Sequence, residues 1–389
     1  MKNPEEVERL AEAEIRLSYF LAEQIKNSTT YFGYPEIPEN NDLSILGIGS
    51  LAKLHLNNAG DPWIHGNSKM HTKVFEREAL DFAAQLYGIQ NNYWGYITSG
   101  GTEGNLYGMY AGRDFFQNQG KKPIFLFSES SHYSLPKNAH LLGLKAIQIA
   151  SQPSGEIDYA DLDRLLWEIK QKQSNFGILI NLNIGTTMTG AIDDIRRVNQ
   201  VIADSHVAPE DVLVHADAAL MGFIYPFVEN YLPLFEHGVS SIAISGHKFP
   251  GAIHPCGIVL ADKALQEKAF GDNWVPYVGT QDTTISGSRN GFLALNLWYI
   301  FQKKGVEGFK QEGVQCIENA HYLTQKLQAM DYPEVSHFPH QIIVTFKKPT
   351  QALVTKYQLA TQGDLAHVVC MQHITKNRID GFCRDLEGM

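Results

Sequence analysis

From about residue 72 onward, short apolar runs of strand length alternate with segments of helical spacing, and this alternation constrains the chain more than any other feature. The candidate strands are Trp94–Thr98, Pro123–Phe127, Ala146–Ala150, Phe176–Ile184, Val212–Ala216, Ser241–Ser245 and Gly257–Ala261. Helical segments such as Asp161–Lys170 and Arg196–Ala203 lie between them. Runs that stay apolar throughout suit strands covered on both faces, so the expectation is an α/β fold with a mostly parallel central sheet. The pattern divides the chain into an N-terminal helix and extended segment (1–71), a large α/β unit (72–291) and a small C-terminal α/β unit (292–389). The last unit opens on a long helical stretch, Phe292–Met330, and continues with candidate strands at Gln341–Phe346 and His367–Met371.

Residues 3 to 27 read as a helix, with Asn3 as cap, Pro4 in the first turn, and Val7, Leu10, Leu17, Phe20 and Leu21 near one face. That face can pack on its own domain or on a second subunit. The formal net charge of −10 argues against nucleic acid and anionic membrane as partners. No run approaches the roughly 18 apolar residues of a membrane span, and the N-terminus does not read as a signal peptide. Cys256, Cys316, Cys370 and Cys383 form no CxxC or zinc pattern and read as reduced thiols. A cytoplasmic enzyme is the expectation.

Four motifs carry chemistry. Ser245-Gly246-His247-Lys248 follows an apolar strand, so Lys248 sits at the sheet edge where α/β proteins bind ligands. A lysine desolvated there can attack an aldehyde. His215-Ala216-Asp217-Ala218-Ala219 ends another strand, and its aspartate can keep a pyridine nitrogen protonated. Thr98-Ser99-Gly100-Gly101-Thr102-Glu103-Gly104-Asn105 joins a strand to a helix, a junction that suits a phosphate. His132, within Ser128–Ser134, can stack on an aromatic cofactor. Each motif alone also fits ordinary structure: a surface lysine, a capping aspartate, a plain turn, a structural histidine. Together, in this order and each at a strand end, they point to one cofactor site. A metal centre built from His132, His215, Asp217 and His247 would explain neither Lys248 nor the glycine loop.

These motifs, with Tyr93-Trp94-Gly95-Tyr96, Asn183-Ile184-Gly185-Thr186-Thr187 and Ser286-Gly287-Ser288-Arg289-Asn290-Gly291, resemble the group II pyridoxal-dependent amino acid decarboxylases. The resemblance runs from Tyr34-Pro35 to Gly363-Asp364-Leu365-Ala366-His367. It implies the aspartate aminotransferase-like fold (fold type I) and pyridoxal 5′-phosphate as cofactor. Within the family the chain is similar to bacterial histidine decarboxylases of the pyridoxal type and nearly as similar to plant serine decarboxylases. By that resemblance Lys248 is the Schiff-base lysine, Asp217 the partner of the ring nitrogen, and His132 the residue stacked on the ring beside the substrate. Ala219 packs under the other face, Gly101, Thr102, Ser245 and His247 contact the phosphate, and Thr186 lies near the ring substituents. Tyr34 and Ser288 are implied substrate contacts, Ser288 across a homodimer interface.

The implied reaction converts L-histidine to histamine and carbon dioxide. Serine decarboxylation to ethanolamine and aldehyde formation are the alternatives. Animal members carry a long mobile loop with a proton-donating tyrosine, whereas the span from Lys248 to Arg289 is short here and offers Tyr277 for that role. Arg289 needs watching, since an arginine clamped on the substrate carboxylate would suit an aminotransferase instead.

Overall fold

A computed structural model describes residues 4–38, 48–172, 174–229 and 231–388. Helix α1 (Pro4–Ser28) leads into an irregular segment and the short helix α2 (Ile48–Leu51). The expected cap at Asn3 lies outside the described residues. Leu17, Phe20 and Leu21 are all more than half exposed, so this stretch of α1 does not bury its apolar residues on its own chain.

The large unit runs α3 (Lys73–Leu86), β1 (Tyr93–Thr98), α4 (Gly101–Asn118), β2 (Lys122–Ser128), α5 (Ser134–Leu141), β3 (Lys145–Ile149), α6 (Tyr159–Lys172), β4 (Phe176–Asn183), α7 (Ile195–Asp204), β5 (Val212–Asp217), β6 (Val239–Ser245), β7 (Gly257–Asp262) and α8 (Lys263–Phe270). All seven expected strands are present and form one sheet in the order β1-β7-β6-β5-β4-β2-β3. The strands from β6 to β3 are parallel, and β7 is antiparallel to both of its neighbours. Every residue of β1 and β4 is buried, as uninterrupted apolar runs require.

Helix α4 lies unusually close to the sheet, for a local reason. A Cβ at Gly104 would stand 2.8 Å from the Ala243 Cβ, and one at Gly108 would stand 2.2 Å from the His215 ring. These glycines recur one helical turn apart, so a single stripe of α4 presses on β5 and β6. The same contact brings the first turn of α4 to the carboxyl ends of those strands.

A two-stranded ribbon, β8 (Trp274–Val275) with β9 (Thr280–Gln281), precedes the long helix α9 (Gly291–Ala329). Asn290 caps α9 through Phe292 N–H, and Gly305, at φ 59°, bends it. Then follow β10 (Ile343–Lys347), α10 (Gln351–Lys356), β11 (Ala360–Gln362), β12 (Leu365–Val369) and α11 (Lys376–Glu387), with an antiparallel sheet ordered β10-β12-β11. Phe32 joins the core of this unit beside Phe346 and Phe382. Backbone bonds from Phe32 to Tyr357 and Val369 tie the segment after α1 to β12. That tether positions Tyr34 and Glu36.

Candidate active site

The parallel strands β2, β4, β5 and β6 release their carboxyl ends around one cavity of about 400 Å³. Such a crevice is where open α/β sheets bind ligands. Its closed end is built from the first turn of α4, Asp217, Ala219, Ser245, His247 and Lys248. Its outer side is lined by Tyr34, Glu36 and Tyr133, and by Ile343, Ala360, His367 and Val369 of the C-terminal unit. Tyr34 and Tyr133 are 45% and 71% exposed, while Asp217 is 7% exposed, which orients the opening.

Of the expected residues, Lys248, Asp217, His132, Gly101, Thr102, Ala219, Ser245, His247 and Tyr34 all line this cavity. Among the described residues, the Lys248 Nζ makes no hydrogen bond or ion pair, while its backbone carbonyl accepts the Gly251 N–H. Burial pushes its pKa down, while the negative charges of Asp217 and Glu36 oppose the shift. Burial thus favours the neutral amine, the nucleophilic form. Burial likewise lowers the pKa of His132; Lys248 and Lys137 add to the effect and Asp217 opposes it. The His132 Nδ1 lies 2.8 Å from the Ser134 hydroxyl and accepts the Ser134 N–H, so the ring proton belongs on Nε2. The Nδ1 of His247 is tethered to the backbone of Cys256, within 2.8 Å of its carbonyl.

At Asp217, Oδ1 accepts the Ala219 N–H and Oδ2 accepts the Asn105 amide at 2.8 Å. The backbone around the glycine loop leaves little room for side chains. A Cβ at Gly101 would come within 2.9 Å of both the Ala219 Cβ and the Ser245 hydroxyl. Gly100 precedes α4 without any side-chain cap, so the first N–H groups of an 18-residue helix face the cavity end. A flat ring bearing a phosphate, an aldehyde and a basic ring nitrogen fits this set: amides for the phosphate, an amine for the aldehyde, a carboxylate for the nitrogen.

Three expected residues lie elsewhere in the chain's own fold. Thr186 turns away, because its hydroxyl accepts the Ala191 N–H and meets Thr189 at 2.9 Å; the neighbouring Thr187 lines the cavity. Tyr277 is 85% exposed on the β8–β9 turn and does not line the cavity. Ser288 hydrogen-bonds Asn57 and borders a separate surface groove.

Arg289 is not available to a substrate. Its guanidinium is buried in an ion pair with Glu76 and donates to the Gly60 carbonyl at 2.9 Å. Nor do the histidines form a metal centre. Both ring nitrogens of His215 are taken by Ser241 and Asn105, and no metal-holding cluster of His, Cys, Asp or Glu occurs among the described residues.

Sequence reasoning missed Glu36, Asn105, Thr187 and His367. Asn105, Thr187 and His367 stood inside quoted motifs, and Glu36 directly follows Tyr34-Pro35. His367 bridges Gly33 and Met188 carbonyls at 2.9 and 3.0 Å, contacts that no local pattern announces.

The family model described as the pyridoxal-dependent decarboxylase conserved domain matches residues 49–348. Histidine decarboxylase of Acinetobacter baumannii (strain AYE) is 36% identical over 380 residues, covering 96% of each chain. Serine decarboxylase 2 of Oryza sativa subsp. japonica is 37% identical over 361 residues, 92% of this chain and 74% of the rice protein. Among solved structures, L-methionine decarboxylase from Streptomyces sp. 590 superposes with a TM-score of 0.86 at 26% identity, covering 98% of this chain and 94% of that one.

Proposed function

The chain belongs to the pyridoxal-dependent decarboxylase family, fold type I enzymes that use pyridoxal 5′-phosphate to decarboxylate amino acids, and from that premise we propose that its substrate is L-histidine and its products histamine and carbon dioxide. One observation carries the choice of side chain: Glu36 presents a carboxylate on the outer wall of the cavity, oriented by the Tyr31 hydroxyl at 2.9 Å. An imidazole reaches further from its α-carbon than a hydroxymethyl group and offers that carboxylate an N–H or a full positive charge. A thioether would offer the Glu36 carboxylate no donor beyond Tyr31, which argues against methionine.

When bound, the cofactor would supply a conjugated, cationic ring as the electron sink for decarboxylation. The chain supplies everything else. The Lys248 Nζ, unencumbered and desolvated, is the amine that would hold the cofactor through its aldehyde. Asp217 would accept a hydrogen bond from the ring nitrogen and so keep the proton on the ring. Amides at the start of α4, with Thr102, Ser245 and His247, hold the phosphate. Neutral His132 forms an uncharged wall beside the reacting carbon. No arginine lines the cavity among the described residues, so nothing clamps the charge that the α-carboxylate must lose.

The exposed apolar residues of α1, including Tyr19 and Phe20, support a homodimer in which Ser288 works on the partner's cavity. Serine is the second reading, supported by 37% identity to the rice enzyme against 36% to the bacterial one. The test is amine release from a panel of L-amino acids by purified, cofactor-loaded protein. Histamine from histidine as the dominant product supports the proposal. Ethanolamine from serine at higher kcat/KM would replace the substrate, and peroxide with aldehyde would replace the reaction.

A further inference from the structure

Behind Asp217 lies a buried chain of polar groups that the reaction above does not use. The Asn105 amide donates to Asp217 Oδ2 at 2.8 Å, and its carbonyl oxygen faces His215 Nε2 at 2.9 Å. The other His215 nitrogen, Nδ1, lies 2.8 Å from the Ser241 hydroxyl. The parallel register of β5 and β6 sets His215 beside Ser241, and the bare Gly108 of α4 makes room for the ring. Asn105, His215 and Ser241 are each no more than 1% exposed.

The proton positions in this chain follow from one another. If Asn105 turned over, its oxygen would meet a carboxylate oxygen at hydrogen-bond distance, which repulsion forbids. Its NH₂ therefore faces Asp217 and its oxygen faces His215, so His215 Nε2 must carry a proton. A buried ring with no carboxylate of its own stays neutral, and burial holds the His215 pKa down at about 4. Nδ1 then has only a lone pair, and Ser241 must donate to it.

We propose that Asn105 and His215 are positioning residues that fix Asp217 through a hydrogen-bond relay of single polarity, Ser241 to His215 to Asn105 to Asp217. With Asn105 donating to Oδ2 and Ala219 donating to Oδ1, the carboxylate is held in one plane and its remaining lone pairs face the cavity. Asp217 can then act only as an acceptor toward a ring nitrogen. The inference rests on the role given to Asp217 above.

Two measurements test it. In wild-type holoenzyme labelled with ¹⁵N-histidine, and assigned with His215→Asn, the His215 resonances should report a neutral ring protonated on Nε2 between about pH 6 and 9. A proton on Nδ1, or a charged ring, overturns the relay even if no Asn105 variant folds. Asn105→Ala should lower kcat by about tenfold with KM changed by less than about threefold, and should shift the absorbance of the bound cofactor and its pH dependence. Wild-type kcat and absorbance in Asn105→Ala would overturn the proposal. Asp217→Ala separates the two readings: if it is inactive while Asn105→Ala is normal, the relay alone fails; if it is active, both fail.

Discussion

The two ends of the cavity are built on opposite principles. At the closed end, Asp217, Asn105, His215 and Ser241 are buried, and the hydrogen bonds among them fix where each proton sits. At the open end, Tyr34, Glu36 and Tyr133 are partly or largely exposed, and the wall is completed by strands from the C-terminal unit. The closed end rests on the central sheet; the open end rests on the tether between Phe32 and β12. Rigid, desolvated groups suit bond breaking that is common to all substrates, and an exposed, adaptable rim suits recognition of one side chain.

This contrast can be broken experimentally, beginning at the closed end. Lys248→Ala should abolish amine release from every amino acid, and borohydride should no longer fix the cofactor to the protein; residual fixation elsewhere would move the anchor. Asp217→Ala should lower kcat by about a hundredfold or more for all substrates alike, measured by steady-state amine release. At the open end, Glu36→Gln should cost about tenfold in kcat/KM for histidine and much less for serine.

The smallest effect concerns stability. His215 takes up a proton at about 4 in the folded protein but at the ordinary 6.5 once unfolded. The unfolded chain therefore binds the extra proton first as pH falls, and stability declines from about pH 6.5 down to about pH 4. His215→Asn should flatten that part of the pH dependence of the urea midpoint. An unchanged slope would show that the imidazole does not resist protonation.

The same contrast explains what could be read from the sequence. The seven main strands were legible because burial on both faces leaves uninterrupted apolar runs, and the residues just past those runs fall at the closed end of the site. At the open end only Tyr34 was read as a contact. Ala360 lies on a strand of three residues, and His367 reaches the cavity through carbonyls of Gly33 and Met188, far away in the chain. Thr186 and Thr187 show the limit of motif reading: both are in one motif, but the turn that follows β4 takes the first hydroxyl for itself. Arg289 shows the same limit, since only the fold reveals that Glu76 has claimed it. For α1 the apolar spacing left two partners open, because it describes a face and not what covers it, and Leu17, Phe20 and Leu21 stay exposed.

The most direct test compares the ratio of kcat/KM for histidine to that for serine in wild type, Asn105→Ala and Glu36→Gln. The account predicts that Asn105→Ala slows both substrates equally and leaves the ratio unchanged. Glu36→Gln should lower the ratio by about fivefold or more. A ratio altered by Asn105→Ala, or unmoved by Glu36→Gln, would contradict the division between a closed end that does the chemistry and an open end that selects the substrate.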